Sequence, residues 1–173
     1  PKNMLSKLKV NDLSLKIRPG QYVAIVGRTG CGKSTLLRLI SGIYMPDGGS
    51  ITIDGKSVFN NAEIKAGISY LGDTPYFMPN ASIKETADFY RRLYPRFDNT
   101  LYNRLLEIFP LDYKAKISTM SKGMQRQAAL MLSLSTMPKY LLLDEAFDGL
   151  DAVMKKVLKS LLAEGAEDGM TTV

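Results

Sequence analysis

The sequence predicts an α/β fold, a mostly parallel sheet interrupted by a block of helices, and three observations predict it. Short apolar runs bounded by turn residues alternate along the chain with helical patterns. These runs are apolar on both faces, as strands are when helices cover a parallel sheet on each side. Residues 80–137 break the alternation, with several helical patterns in succession and no convincing strand.

In chain order, YVAIV at 22–26 reads as the first strand, and the helical pattern at 33–42 follows a glycine-rich turn. SITID at 50–54 and ISYLG at 68–72 read as the next two strands. Helical patterns then fall at 83–94, 98–109 and 123–136, the last preceded by Ser121, a residue type that caps helix starts. YLLLD at 140–144 returns the chain to the sheet, and a helix covers 152–164. GMTTV at 169–173 is a glycine stop followed by the beginning of a β-branched run. The resulting plan is a discontinuous core, 1–79 and 138–173, with 80–137 inserted as a helical subdomain.

At 173 residues the chain is long enough to bury a sizeable core in one domain. No apolar stretch approaches the roughly 18–20 residues of a membrane span, so no direct membrane insertion is expected. The N-terminal PKNMLSKLKV lacks the apolar centre of a signal peptide. The single cysteine, Cys31, has no internal disulfide partner, and the absence of histidine removes the commonest general base. The formal charge of +6 comes from scattered basic residues rather than a run, which disfavours a nucleic-acid partner.

GRTGCGKST at 27–35 carries the first chemistry. Gly27 to Ser34 matches G-x-x-x-x-G-K-[ST], with an extra glycine at 30, between a strand and a helix as the mechanism requires. Glycines let the backbone curl so that successive N–H groups point inward, and the following helix brings the positive end of its dipole to the same spot. A polyphosphate is the natural guest of Gly27, Arg28, Thr29, Gly30, Cys31, Gly32, Lys33, Ser34 and Thr35. Lys33 would reach the β- and γ-phosphates, and the Ser34 hydroxyl would ligate Mg²⁺.

YLLLDEAFDGLD at 140–151 places Asp144 and Glu145 at the carboxyl end of a strand, the edge of an α/β sheet where ligands sit. Either the pair merely ends a strand and caps the next helix, or Asp144 holds Mg²⁺ and Glu145 polarises an attacking water. The company of the phosphate turn favours the second.

MSKGMQRQ at 120–127 opens a helix, and a cap at Ser121 would explain it alone. Its position between the phosphate turn and the acidic strand, however, resembles the signature motif of the ABC (ATP-binding cassette) ATPases. GRTGCGKS then looks like Walker A, YLLLDE like Walker B with its catalytic glutamate, DGLD at 148–151 like the D-loop, and 68–85 like the Q-loop region. The resemblance covers essentially the whole chain. It implies a P-loop NTPase core with a small N-terminal antiparallel β part and an ATPase that uses ATP and Mg²⁺, with Glu145 and Lys33 catalytic. It also implies a head-to-tail partner, a homo- or heterodimer in which Ser121, Lys122, Gly123 and Asp151 complete the other copy's site.

Departures accompany the resemblance. Asp73 stands where the family has a glutamine, and as a carboxylate it is a further candidate Mg²⁺ ligand. Lys122 and Met124 replace a glycine and a glutamine of the signature. SKGMQRQ together with FYRRLYPRFD at 89–98 is similar to the ABC-2-type exporters, which implies a subunit that couples ATP-driven dimerisation to export. Such a subunit lies in the cytoplasm, peripheral on the inner face of the cell membrane, held there by membrane-spanning subunits. Tyr76, Phe77, Met78, Phe89, Tyr90 and Tyr94 are either docking residues for those subunits or core. The alternative function is a soluble ABC ATPase acting on ribosomes or nucleic acid. An adenine-stacking aromatic is missing before Tyr22, itself read as a packing residue, and the family's switch histidine would follow TTV. The chain is therefore expected to be a piece of a longer cassette that binds nucleotide weakly and hydrolyses it slowly if at all.

Overall fold

A computed structural model describes residue 10 and residues 13–173; the segment read above for a signal peptide lies, apart from Val10, outside the described residues. The elements are α1 (Lys33–Ile40), β1 (Thr52–Ile53), β2 (Lys56–Ser57), α2 (Ala62–Ala66), β3 (Ile68–Leu71) and α3 (Ile83–Leu93). They continue with α4 (Asn99–Ile108), a 3₁₀ turn at Ile117–Thr119, α5 (Lys122–Ser135), β4 (Tyr140–Leu143), α6 (Ala152–Glu167) and β5 (Thr171–Thr172).

The strands β3, β4 and β5 form a parallel sheet in that order, with Ile68 opposite Tyr140 and Tyr140 opposite Thr171. Alternation along β3 and β4 sorts their side chains onto two faces. Ile68 and Leu142 pack with Leu37 of α1, Val58 and Ile64 of α2. Leu71 and Leu141 face the other way, into a larger cluster holding Ile83, Leu105, Leu130, Leu132, Leu158 and Leu162. A fully buried leucine stabilises by about 1.5–3 kcal/mol, so this two-sided burial is what makes β3 and β4 necessary to both layers.

Two expected strands differ. YVAIV contributes one parallel bridge, Tyr22 to Thr172, with Val23 N donating to the Thr172 carbonyl at 2.8 Å. The bridge is not extended into a ladder: Tyr22 is exposed rather than packed, and Val26 is 92% exposed. SITID is not a parallel core strand either. Thr52–Ile53 pairs antiparallel with Lys56–Ser57 across Asp54 and Gly55, both at positive φ (53° and 75°). That is the two-residue hairpin geometry an Asp-Gly pair favours, and it forms the small antiparallel part of the fold.

Helices α2 to α6 start on side-chain caps. Ser82 and Glu85 form a reciprocal capping box on α3, Asp98 accepts from Thr100 N and Leu101 N on α4, and Asp151 accepts from Met154 N on α6. Helix α5 is buried along most of its length from Arg126 to Ser135. Arg104 of α4 forks onto Glu164 of α6 at 2.9 and 3.2 Å, tying the helices of 80–137 to the helix that follows the acidic strand.

Candidate nucleotide site

The loop before α1 turns through Gly30 (φ 80°) and Gly32 (φ 101°), backbone values that an L side chain resists. A Cβ on Gly27 would sit 2.5 Å from the Cys31 sulfur. Lys33 Nζ folds back across the loop and donates to the carbonyls of Gly27 at 2.9 Å and Arg28 at 3.2 Å. Gly32 caps α1 without a side chain, so no hydroxyl or carboxylate of the cap competes for the first helical N–H groups. Ser34 and Thr35 are half-buried under the loop, whereas Arg28, Thr29 and Cys31 are exposed. This is a curled backbone with an ammonium held above it, chemistry suited to a polyphosphate.

Across the sheet, Asp144 leaves β4 with its N–H donating to the Leu71 carbonyl at 2.8 Å. Asp144 as a residue is only 2% exposed, and its one side-chain hydrogen bond is a long one, from the Tyr70 hydroxyl at 3.5 Å. A buried carboxylate so weakly partnered suits a cation. Glu145 follows with φ 55°, which swings its side chain out to solvent. The chain then turns, Asp148 N donating to the Glu145 carbonyl at 2.9 Å, and reaches Asp151 at the start of α6.

Asp73 is placed by charge. Its carboxylate pairs with Arg38 of α1 at 3.6 Å, so the residue at the glutamine position is linked through one helix to the phosphate loop. The neighbouring Tyr70 hydroxyl holds the Arg38 guanidinium more firmly in its charged form. Burial pushes the Tyr70 phenol above its ordinary range, with Arg38 pulling the other way. Among the described residues no three acidic or cysteine side chains gather as a metal site. The donors that fit Mg²⁺ are accordingly few, Ser34 and Asp144 with Asp73 as a further candidate, which suits an ion that completes its shell with phosphate oxygens and water.

Ser121 caps α5, accepting from Met124 N at 3.3 Å, and Lys122 is exposed. Gly123 is a close approach: a Cβ there would lie 3.1 Å from the Gly149 carbonyl, so the signature helix and the turn before Asp151 touch backbone to backbone. Arg38, Tyr70 and Arg126 were not among the candidates. An arginine in the midst of MQRQAALML was the one readable sign, because an otherwise apolar helix rarely buries a charge unpaired.

Of the candidate docking residues, Tyr76 is 84% exposed and Phe89 is also exposed, whereas Phe77 and Tyr90 pack against the larger cluster. Tyr76, Phe77 and Tyr90 line a cavity of about 360 Å³ together with Arg38, Tyr70 and Asp73. No helix among the described residues is long and apolar enough to cross a membrane.

Comparison with known proteins adds the following. A family model described as ABC transporter matches residues 10–148. The chain is 36% identical over 159 residues to the ABC transporter ATP-binding protein YtrB of Bacillus subtilis (strain 168), covering 91% of this chain and 54% of that protein. It is 33% identical over 176 residues to the sulfate/thiosulfate import ATP-binding protein CysA of Pseudomonas syringae pv. tomato, covering 96% and 54%. The chain thus spans about half the length of these curated relatives. In fold it is similar to a dimeric, post-hydrolysis ATP-binding cassette, MJ0796, bound to ADP and Pi, with a TM-score of 0.79 at 23% identity over 92% of this chain and 75% of that one.

Proposed function

Since this chain belongs to the ABC transporter family of ATP-binding proteins, we propose that residues 27–35 cradle the phosphates of ATP and that Glu145 orients the water that attacks the γ-phosphorus. The observation that carries this reading is the Lys33-spanned glycine loop together with the buried Asp144 at the end of β4, whose carboxylate has only the long hydrogen bond from Tyr70. Backbone N–H groups from Gly30 to Ser34 bind phosphate oxygens. Lys33 moves its ammonium from two neutral carbonyls to the charged oxygens that gain negative charge during transfer. Ser34 and Asp144 would hold Mg²⁺, which would supply charge neutralisation to the polyphosphate. Glu145, free in solvent and one residue beyond the metal carboxylate, accepts the proton of the attacking water.

Ser121, Lys122, Gly123 and Asp151 serve a second copy or a related domain, closing over its nucleotide from an exposed helix start. The dimeric cassette similar in fold supports this arrangement. Membrane-spanning subunits dock at the Tyr76 and Phe89 surface and hold the protein peripherally at the cytoplasmic face. Both relatives are transporter ATP-binding proteins, which favours a transporter over a soluble remodelling ATPase. CysA is an import protein, so the export expected from the sequence does not follow from the relatives.

Nucleotide titration and turnover of two variants test the reading. Lys33→Ala is expected to weaken ATP binding at least tenfold, and Glu145→Gln to keep binding while losing about 10²-fold or more in turnover. Unchanged ATP affinity in Lys33→Ala would sink the assignment of the loop.

A further inference from the structure

Arg126 has no place in the chemistry above, yet it is among the most connected side chains of the protein. It lies on α5, nine-tenths buried, and its guanidinium donates to three main-chain carbonyls from two segments distant in sequence. Nη2 donates to Asp73 O at 2.9 Å and to Asp144 O at 3.3 Å, and Nη1 donates to Asp148 O at 3.2 Å. None of the three is a carboxylate, so the charge is not there to neutralise an acid. Each carbonyl instead belongs to a stretch of backbone that places a candidate site residue.

Asp73 is one such residue itself. The Asp148 carbonyl sits in the turn that leads to Asp151. The Asp144 carbonyl matters most, because it belongs to the peptide that joins Asp144 to Glu145. The orientation of that peptide sets where Glu145 starts, and Glu145 leaves it at φ 55°, a value unfavourable for any residue with a side chain. A strained residue persists only where its surroundings over-determine it, and the surroundings here are the Leu71 carbonyl accepting from Asp144 N and Arg126 holding Asp144 O.

We infer that Arg126 is a positioning residue for hydrolysis: from the signature helix it fixes the peptide that aims Glu145 and registers that peptide against the Asp73 loop and the Asp151 turn. The inference rests on the ATPase reading. The planar fork is essential to it, since a lysine has one nitrogen and cannot span carbonyls on both sides. Arg126 makes no hydrogen bond to the phosphate loop, so its loss should fall on turnover far more than on nucleotide binding.

Steady-state ATPase kinetics of Arg126→Lys and Arg126→Gln, with thermal unfolding of each, test this. At a temperature below every unfolding transition, KM for ATP is expected to stay within about threefold while kcat falls at least tenfold, and Lys, with charge but no fork, should not restore it. Wild-type kcat in a folded Arg126→Lys variant would overturn the inference, as would a matched rise in KM with kcat unchanged. If neither variant folds, Arg126 serves the fold alone and the positioning role is overturned as well. Absence of both ATP binding and ATP turnover in the unsubstituted protein would instead count against the ATPase reading on which the inference stands.

Discussion

At the scale of the residue, two backbone positions carry opposite consequences. Gly32 turns at φ 101°, and a Cβ there would also come within 3.3 Å of Val10 Cγ2. Gly32→Ala should therefore cost about 1–3 kcal/mol in a urea unfolding experiment and weaken ATP binding with it. Glu145 holds a similar backbone without being glycine. Glu145→Gly should raise stability by about 1 kcal/mol in the same experiment while turnover is lost, the pairing expected where a strained residue serves chemistry rather than fold. A Glu145→Gly protein less stable than the parent would show that its side chain, not its function, holds the turn. The glycines of the loop and the acid pair were readable from the sequence because residue type and spacing state the chemistry. Arg38, Tyr70 and Arg126 were not, because their roles come from what other segments bring to them: Asp73 for Arg38, Asp144 for Tyr70, three carbonyls for Arg126.

At the scale of the element, caps and hairpin ties decide what forms. Asp151 accepts from Met154 N at 2.8 Å at the head of the 16-residue α6, which follows the acidic turn directly. Asp151→Ala should cost about 1 kcal/mol by loss of that cap, whatever it does to turnover, so unfolding and kinetics need to be measured on the same preparation. The β1–β2 hairpin is tied to β4 through Asp54, whose carboxylate accepts from Lys139 Nζ and from the Tyr140 hydroxyl, each at 2.7 Å. The Lys139 ammonium, with help from Tyr140, holds the Asp54 carboxyl below its ordinary value of 3.8. A lowered carboxyl contributes its stability fully above that ordinary value and loses it as pH falls through the depressed one. Unfolding midpoints across that acid window should drop more steeply for the parent than for Asp54→Asn, and parallel curves would exclude the tie. The pattern of SITID concealed this hairpin: its apolar alternation resembled a buried strand, while the decisive signal was the Asp54-Gly55 pair that follows. By contrast β3, β4 and the five longer helices were legible, since continuous burial on two faces and long amphipathic stretches leave few alternatives.

At the scale of the whole molecule, one apolar cluster runs from α3 through α4 and α5 to β4 and α6 without a break. Leu130 of this cluster is fully buried, and Leu130→Ala should cost about 2–5 kcal/mol. Helical circular dichroism and amide exchange in β4 should then lose protection together; separate transitions would show that the helices of 80–137 unfold on their own. The sequence suggested an insertion there because strands were lacking, but the continuity of its packing with β4 and α6 depends on side chains far apart in the chain. That continuity governs how the helices can move. Met120, Met131, Met154 and Met170 all lie within the cluster, and unbranched thioethers re-pack at little expense where branched side chains would lock. Four methionines in one seam let the signature helix adjust its packing in small steps, while its close backbone approach to Gly149 ties its head to the turn before Asp151.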